Sequence, residues 1–208
     1  WRALVHAVLD SPQAAVPGTA ATTELFSGLW AGGDPDRAVS TSVAAVTTLG
    51  WLVFGRFVTD DLRERGFAVV GVARRLSASQ RGDALDLELP VMSMKAERLA
   101  RLLRDHHTDV VVNCLGVLQD GPGSDTAAVH CDFVARLLQA IRDSNRAIRL
   151  VHISIPGTTE TDRTAFATTK REAERLIAAS GVSHAILRPG FVVAPAAYGG
   201  SAMLRALA

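Results

Sequence analysis

The sequence predicts a doubly wound α/β fold, an open parallel sheet covered by helices, over most of its 208 residues. Three observations predict it. From about residue 43, short β-branched runs alternate with longer segments of helical periodicity. The strand candidates are apolar along nearly their whole length, as strands buried on both faces are. The order strand, helix, strand recurs without any internal sequence repeat, the pattern of a parallel sheet joined by helical crossovers.

Taken in order, SVAAVTT (42–48) is the first strand candidate. GRFVTDDLRERG (55–66) follows as a helix with Phe57, Leu62 and Val58 turned inward. FAVVGVA (67–73) is a buried strand, and Leu85 to Leu89 form another, shorter one. AERLARLLRDHH (96–107) is an amphipathic helix whose Leu99, Leu102 and Leu103 share one side. DVVVNCLGV (109–117) is the strongest strand candidate, 125–144 a helix, RLVHIS (149–154) a strand and 163–180 a helix again. HAILRPGFVV (184–193) holds a last strand that stops at Pro189, since proline cannot continue a ladder. Residues 1–42 differ in kind. Patches such as SPQAAVPGTAATT and AGGDPD predict an irregular leader, with one short helix at 2–9.

Composition removes several classes of function. The formal net charge is +1, so neither a nucleic-acid footprint nor a polybasic membrane anchor is expected. Residues 38–55 carry no charge, but Ser40, Thr41, Ser42, Thr47 and Thr48 make them a poor apolar run, and no membrane insertion is expected. The two cysteines, Cys114 and Cys131, suit neither a disulfide framework nor a metal-binding pair, which fits a cytoplasmic setting. His106 and His107 are adjacent, and Asp132 follows His130 by two; neither spacing gathers metal ligands on one helix face, so no metal is expected.

What remains points to the carboxyl ends of the strands, where ligands of such sheets bind. The turn TTLGWLVFGRF holds Gly50 and Gly55, which suit a backbone approaching a pyrophosphate at a helix N-terminus. Leu49, Trp51 and Leu52 break the fuller glycine pattern, and an ordinary strand-to-helix turn is the competing reading. After the second strand come Arg74 and Arg75 in place of an acidic residue. That suits the 2′-phosphate of NADP better than the free ribose of NAD, against the alternative of two solvated surface arginines. Asp86, at the third strand, can set a carboxylate near an adenine, with Asp83 as competitor. Asn113 and Gly116, in NCLG, suit a strand end turning beside a ribose, with the Asn113 amide tying neighbouring strands. Ser154 ends one strand, and Arg188-Pro189-Gly190 end another.

The runs VVVNCLGVLQDGP, RLVHISIPG, TAFATTKREAERLI and AILRPGFVVAPAAYGG resemble the short-chain dehydrogenase/reductase superfamily. The likeness is to its extended and atypical branches, which include epimerase/dehydratase-like, NmrA-like and complex-I-accessory-subunit-like proteins. It covers about 43–208. The resemblance implies a Rossmann domain (43–196) that binds NADP, or NAD, and acts by hydride transfer on an unidentified small molecule: a carbonyl, a quinone or a sugar nucleotide. It implies a substrate lobe of which 197–208 would be the cut-short start; with Trp1 in place of Met, the chain reads as a fragment. Within the family pattern Lys170 matches the lysine that holds the nicotinamide ribose. Ser154 matches the serine that orients the substrate, within one or two positions, so Thr158 or Thr159 can replace it. Pro189 joins the cofactor-binding set. The catalytic tyrosine is missing: Phe166 stands four residues before Lys170, where both side chains share a helix face. The competing readings are a Phe166 packed with Ala173 and Leu176 or Ile177, and a solvent-facing Lys170 paired with Glu174. The only tyrosine is Tyr198. A non-catalytic NADP(H)-binding module, or an inactive truncated homologue, is the alternative function.

Overall fold

The computed structural model describes residues 45–49, 54–64, 66–76, 86–160 and 162–189. In chain order these form β1 (Ala45–Leu49), α1 (Phe54–Glu64), β2 (Ala68–Ala73), β3 (Asp86–Glu88), α2 (Ala96–Asp105), β4 (Val110–Asn113), α3 (Phe133–Asp143), β5 (Arg149–Ile153), α4 (Ala165–Ala179) and β6 (His184–Leu187). A 3₁₀ turn at Val91–Ser93 precedes α2, and a π-helical turn at Ala128–Asp132 leads into α3.

All pairings are parallel, in the order β3-β2-β1-β4-β5-β6. This is the doubly wound arrangement. The chain winds outward from β1 to β3, then crosses back to β4 on the other side of β1. Leu49 at the end of β1 is level with Val72 on one side and Asn113 on the other. The two strands on either side of that reversal leave a crevice at their carboxyl ends.

The reversal also sorts the helices, because right-handed crossovers in opposite directions put them on opposite faces. On one face Val58 and Leu62 of α1 pack on Val69, Val110 and Val112. On the other, Leu99 and Leu103 of α2, Leu137 and Ile141 of α3 and Ile177 of α4 cover Val72, Val111 and Leu150. The alternation within β4, Val110 and Val112 against Val111, shows why its sequence is apolar throughout: each side chain meets a core.

Two elements end differently from expectation. The strand predicted over 109–117 stops at Asn113. There the Asn113 side-chain carbonyl accepts the Leu115 N–H at 3.1 Å, turning the chain out of the ladder. The helix predicted over 125–144 opens with the π turn at Ala128–Asp132. The leader at 1–42, Gly50, Trp51, Leu52, Asp83, Gly190, Tyr198 and the segment 197–208 lie outside the described residues. Among the described residues no helix is long and apolar enough to cross a membrane.

Leu137 is fully buried at the centre of the larger core. Leu137→Ala should cost about 2–5 kcal/mol of unfolding free energy in a denaturant titration, with little change in the denaturant slope.

Candidate dinucleotide site

The β5–α4 connection sets the site. Thr164 caps α4 by accepting the Ala167 N–H at 3.1 Å. From that start, Lys170, Ala173, Glu174 and Ile177 fall on the face turned to the sheet and are all buried. Packing of Ala173 and Ile177 therefore carries the Lys170 ammonium inward, where only 4% of the residue is exposed. Its Nζ donates to the Ile153 carbonyl at 3.0 Å and to the Leu115 carbonyl at 3.2 Å, one at the end of β5 and one just past β4. Among the described residues no carboxylate is within ion-pair distance of it. Burial pulls the Lys170 pKa down to about 8, with Cys114 and Glu174 working the other way. The solvent-facing Lys170–Glu174 pair is thus not what forms: both side chains point inward, and Glu174 has other partners.

Gly116 lies directly over this ammonium. A Cβ built on it would stand 3.4 Å from Lys170 Nζ and 3.6 Å from His130 Nε2, ordinary contact distances. Beneath it, Asn113 and His152 link the ends of β4 and β5. The Asn113 side-chain amide donates to His152 Nδ1 at 3.1 Å, which leaves the proton of this neutral ring on Nε2. Burial, helped by the Lys170 charge and opposed by Glu174, pushes the His152 pKa down to about 3.

Ser154 ends β5, and its backbone N–H donates to the Leu187 carbonyl of β6 at 2.6 Å. Its hydroxyl donates to Glu174 Oε1 at 2.5 Å. Glu174 also accepts from Arg171 at 2.8 Å and, through both oxygens, from Arg188 at 2.9 and 2.6 Å. Burial acts to raise the Glu174 pKa, but the hydrogen bonds from Arg188 and Ser154 and the arginine charges lower it. Arg171 in turn pairs with Asp162 at 2.7 Å and donates to the Ile155 and Pro156 carbonyls. This buried cluster ties the ends of β5 and β6 to α4 and holds the start of the loop that carries Thr158 and Thr159. Both threonines are exposed.

The other expected residues lie apart from this cluster. Arg74 and Arg75 are exposed at the carboxyl end of β2, and neither has an ion-pair partner among the described residues. Their turn is pinned by Glu88 of β3, whose carboxylate accepts the Leu76 N–H at 3.0 Å. Gly55 is buried in the first turn of α1, and Pro189 follows β6. Asp86 opens β3 at its amino end and pairs with Arg63 of α1 at 2.7 Å, which holds that carboxylate away from the carboxyl edge. Phe166 is half-buried, its ring edge-on to His130 with centroids 5.5 Å apart. His130, Glu174, Arg171 and Glu88 escaped the sequence reading. Their signal is contact across 12 to 39 residues of chain, which periodicity does not carry.

The residues fit a dinucleotide on one observation. A buried ammonium with no counter-ion among the described residues, held by two carbonyls, uses two of its three N–H groups there and keeps a third for a hydroxyl acceptor. No group of three or more His, Cys, Asp or Glu side chains gathers as metal ligands among the described residues.

A parallel sheet of this order defines a Rossmann-type domain, with the buried lysine at the carboxyl ends of β4 and β5. A family model described as NAD(P)H-binding matches residues 54–205, and the chain belongs to that family. Solved structures share the fold. The WbmH enzyme of Bordetella bronchiseptica, in complex with NAD+, is 19% identical, with a TM-score of 0.56 over 70% of this chain and 56% of its own. UDP-glucuronic acid 4-epimerase from Bacillus cereus, in complex with NAD, is 17% identical, with a TM-score of 0.55 over 73% of this chain and 58% of its own. dTDP-4-dehydrorhamnose reductase from Bacillus anthracis, in complex with NADP, is 12% identical, with a TM-score of 0.60 over 79% of this chain and 60% of its own. The chain thus spans little more than half the length of these structures. No curated protein matches the sequence.

A buried, uncompensated Lys170 has a sign that can be checked. Its folded pKa lies below that of the unfolded chain, so unfolding takes up a proton, and stability of the ligand-free protein rises as pH rises through about 8. Lys170→Met should raise stability near neutral pH, flatten that rise, and abolish dinucleotide binding. Urea unfolding across pH, with a binding titration of the same variant, checks all three.

Proposed function

We propose that this chain is the cofactor-binding part of an atypical short-chain dehydrogenase/reductase that uses NADP(H) in preference to NAD(H). The observation that carries the reading is the buried Lys170 ammonium at the carboxyl ends of β4 and β5, with a donor to spare among the described residues. In this reading residues 43–196 form the binding unit and Lys170 holds the nicotinamide ribose. Gly116 lets the backbone lie close to that sugar. Gly50 and Gly55 serve the pyrophosphate, and Asn113 and Pro189 shape the crevice floor and rim. Arg74 and Arg75 take the 2′-phosphate, supported by their exposure at the end of β2. For Asp86 the structure supports a structural role with Arg63 rather than an adenine contact. The unpaired thiols of Cys114 and Cys131 support a cytoplasmic setting.

When bound, the cofactor supplies or accepts a hydride. Ser154 keeps acceptor lone pairs while its proton is committed to Glu174, so it orients a substrate hydroxyl and cannot donate to a carbonyl. Phe166 has no proton to give, so a water or another group supplies it. The substrate is a small carbonyl, quinone or sugar-nucleotide compound. The structural neighbours named for sugar-nucleotide chemistry support the last of these by fold alone. A second reading, a non-catalytic NADP(H)-binding module, is favoured by the same pair of facts: the Ser154 proton is engaged, and position 166 carries no hydroxyl.

Arg74→Ala combined with Arg75→Ala should weaken NADPH about 10- to 100-fold and NADH far less, measured by calorimetry, since charge-assisted phosphate contacts are worth about 1.5–3 kcal/mol. Equal loss for both dinucleotides contradicts the assignment. Phe166→Tyr separates the two readings. A gain of about 10²-fold or more in carbonyl reduction supports an enzyme short of its acid. No turnover by either protein across a panel of carbonyl compounds supports the binding module.

A further inference from the structure

His130 is fully buried on the π turn that opens α3, and nothing above uses it. A π turn inserts an extra residue into the helical ladder and is found disproportionately at functional positions. Here it presents an imidazole between two elements of the site. The ring's Nε2 is 3.2 Å from the Val117 backbone nitrogen, which can only donate. Nε2 must therefore be the acceptor, and the proton lies on Nδ1. Nδ1–H then donates to Thr169 Oγ1 at 2.8 Å. The Thr169 hydroxyl in turn donates a hydrogen bond to the Ala165 carbonyl, 2.6 Å away and one turn back in α4. Phe166 closes the other side of the ring edge-on. One tautomer satisfies every donor and acceptor in this chain; the other leaves two donors facing each other at Val117.

The consequence reaches Lys170, the residue after Thr169. His130 ties α4 to the segment Leu115–Val117, and in that segment Leu115 supplies a carbonyl to Nζ while Gly116 lies against it. We infer that His130 is a positioning residue of the dinucleotide site: as its neutral Nδ1–H tautomer it holds the Leu115–Val117 segment and α4 in register, so that the Lys170 ammonium stays enclosed and aimed at the crevice. The assignment rests on the dinucleotide reading for its purpose but not for its geometry.

The groups facing this pair of side chains are Cys114 at the end of β4, His152 on β5, Glu174 on α4 and Asp120 in the loop before α3. Burial and the Lys170 charge, opposed by Asp120, push the His130 pKa down to about 4, so the ring stays neutral through the physiological range. Burial, opposed by Cys114 and Glu174, sets that of Lys170. A neutral imidazole adds no charge to Lys170. Replacing it with an apolar side chain of similar size therefore changes the Lys170 titration only by changing geometry.

The test is NMR on the full chain without ligand, following the imidazole nitrogens of His130 and the Lys170 side chain through a pH titration. The ring should show the neutral Nδ1–H pattern, and Lys170 should titrate near 8. In His130→Leu, Lys170 should move up toward the ordinary lysine range as the segment releases its enclosure. His130→Gln, able to accept from Val117, should bring it most of the way back. Thr169→Val, which removes only the hydroxyl, should move it in the same direction with α4 intact. Dinucleotide affinity should fall about tenfold in the Leu variant, the worth of one or two buried hydrogen bonds, and recover with Gln. An Nε2–H tautomer in the wild type overturns the inference. So does a Lys170 titration unchanged in both His130→Leu and Thr169→Val; if the Leu variant does not fold, the Thr169→Val titration decides alone. A wild-type protein that binds no dinucleotide speaks against the proposed function and leaves the Lys170 readout to decide the positioning role.

Discussion

The arrangement depends on a cation kept out of water with no carboxylate at ion-pair distance among the described residues. Placing the Lys170 ammonium under Gly116 is unfavourable for the empty protein, and its depressed pKa is the measure of that cost. Carbonyl dipoles from the ends of β4 and β5 offset part of it. They are available because both strands end level with each other at the carboxyl edge, and because Asn113 turns the chain immediately after β4. The sheet order, the early end of β4 and the inward face of α4 thus converge on one nitrogen. A group held at such a cost for the ligand-free fold belongs where function uses it.

The Glu174 cluster is the counterweight. A carboxylate buried with Arg171 and Ser154, and met from the surface by the exposed Arg188, is costly to form and costly to break, and its value is in holding elements in one arrangement. It joins the last two strands to the helix that carries Lys170, and Arg171 extends it to two consecutive loop carbonyls. This organisation commits the Ser154 proton. Together with Phe166 it gives a site well built to hold a ligand and poorly supplied with acids. The two departures from the pattern of the resembled family are Phe166 in the helix and Leu49 and Leu52 around Gly50 in the sequence. Leu49 is buried in the main core, where it serves packing.

Nearly all of the described architecture was legible in the sequence, because it is written in local periodicity. VVVN, AVVGVA and the Leu99-Leu103 stripe each announce both their element and the face they bury. The strand-tying amide of Asn113 was legible from its motif, and so was Lys170 on the inner face of its helix. What escaped were pairings between distant residues. Nothing near Asp86 signals that Arg63 claims its carboxylate. Nothing near His130 shows that Val117 and Thr169 flank it, since both contacts join it to other elements of the chain. The π turn itself follows from no local propensity and was invisible beforehand.

The central claim is that the buried Lys170 ammonium waits for the ribose of a nicotinamide dinucleotide. Hydroxyl acceptors on that nitrogen, with an anionic pyrophosphate nearby, favour its charged form and raise its pKa. Calorimetric titration of the full chain with NADPH and with NADH, in buffers of differing ionisation heat, reads this directly. The account predicts binding of both, tighter for NADPH, with a fraction of a proton taken up near pH 8 and above. The uptake should fade toward about pH 7, where a lysine with this pKa is already charged. No binding at millimolar dinucleotide, or binding without any proton uptake across that range, would contradict it.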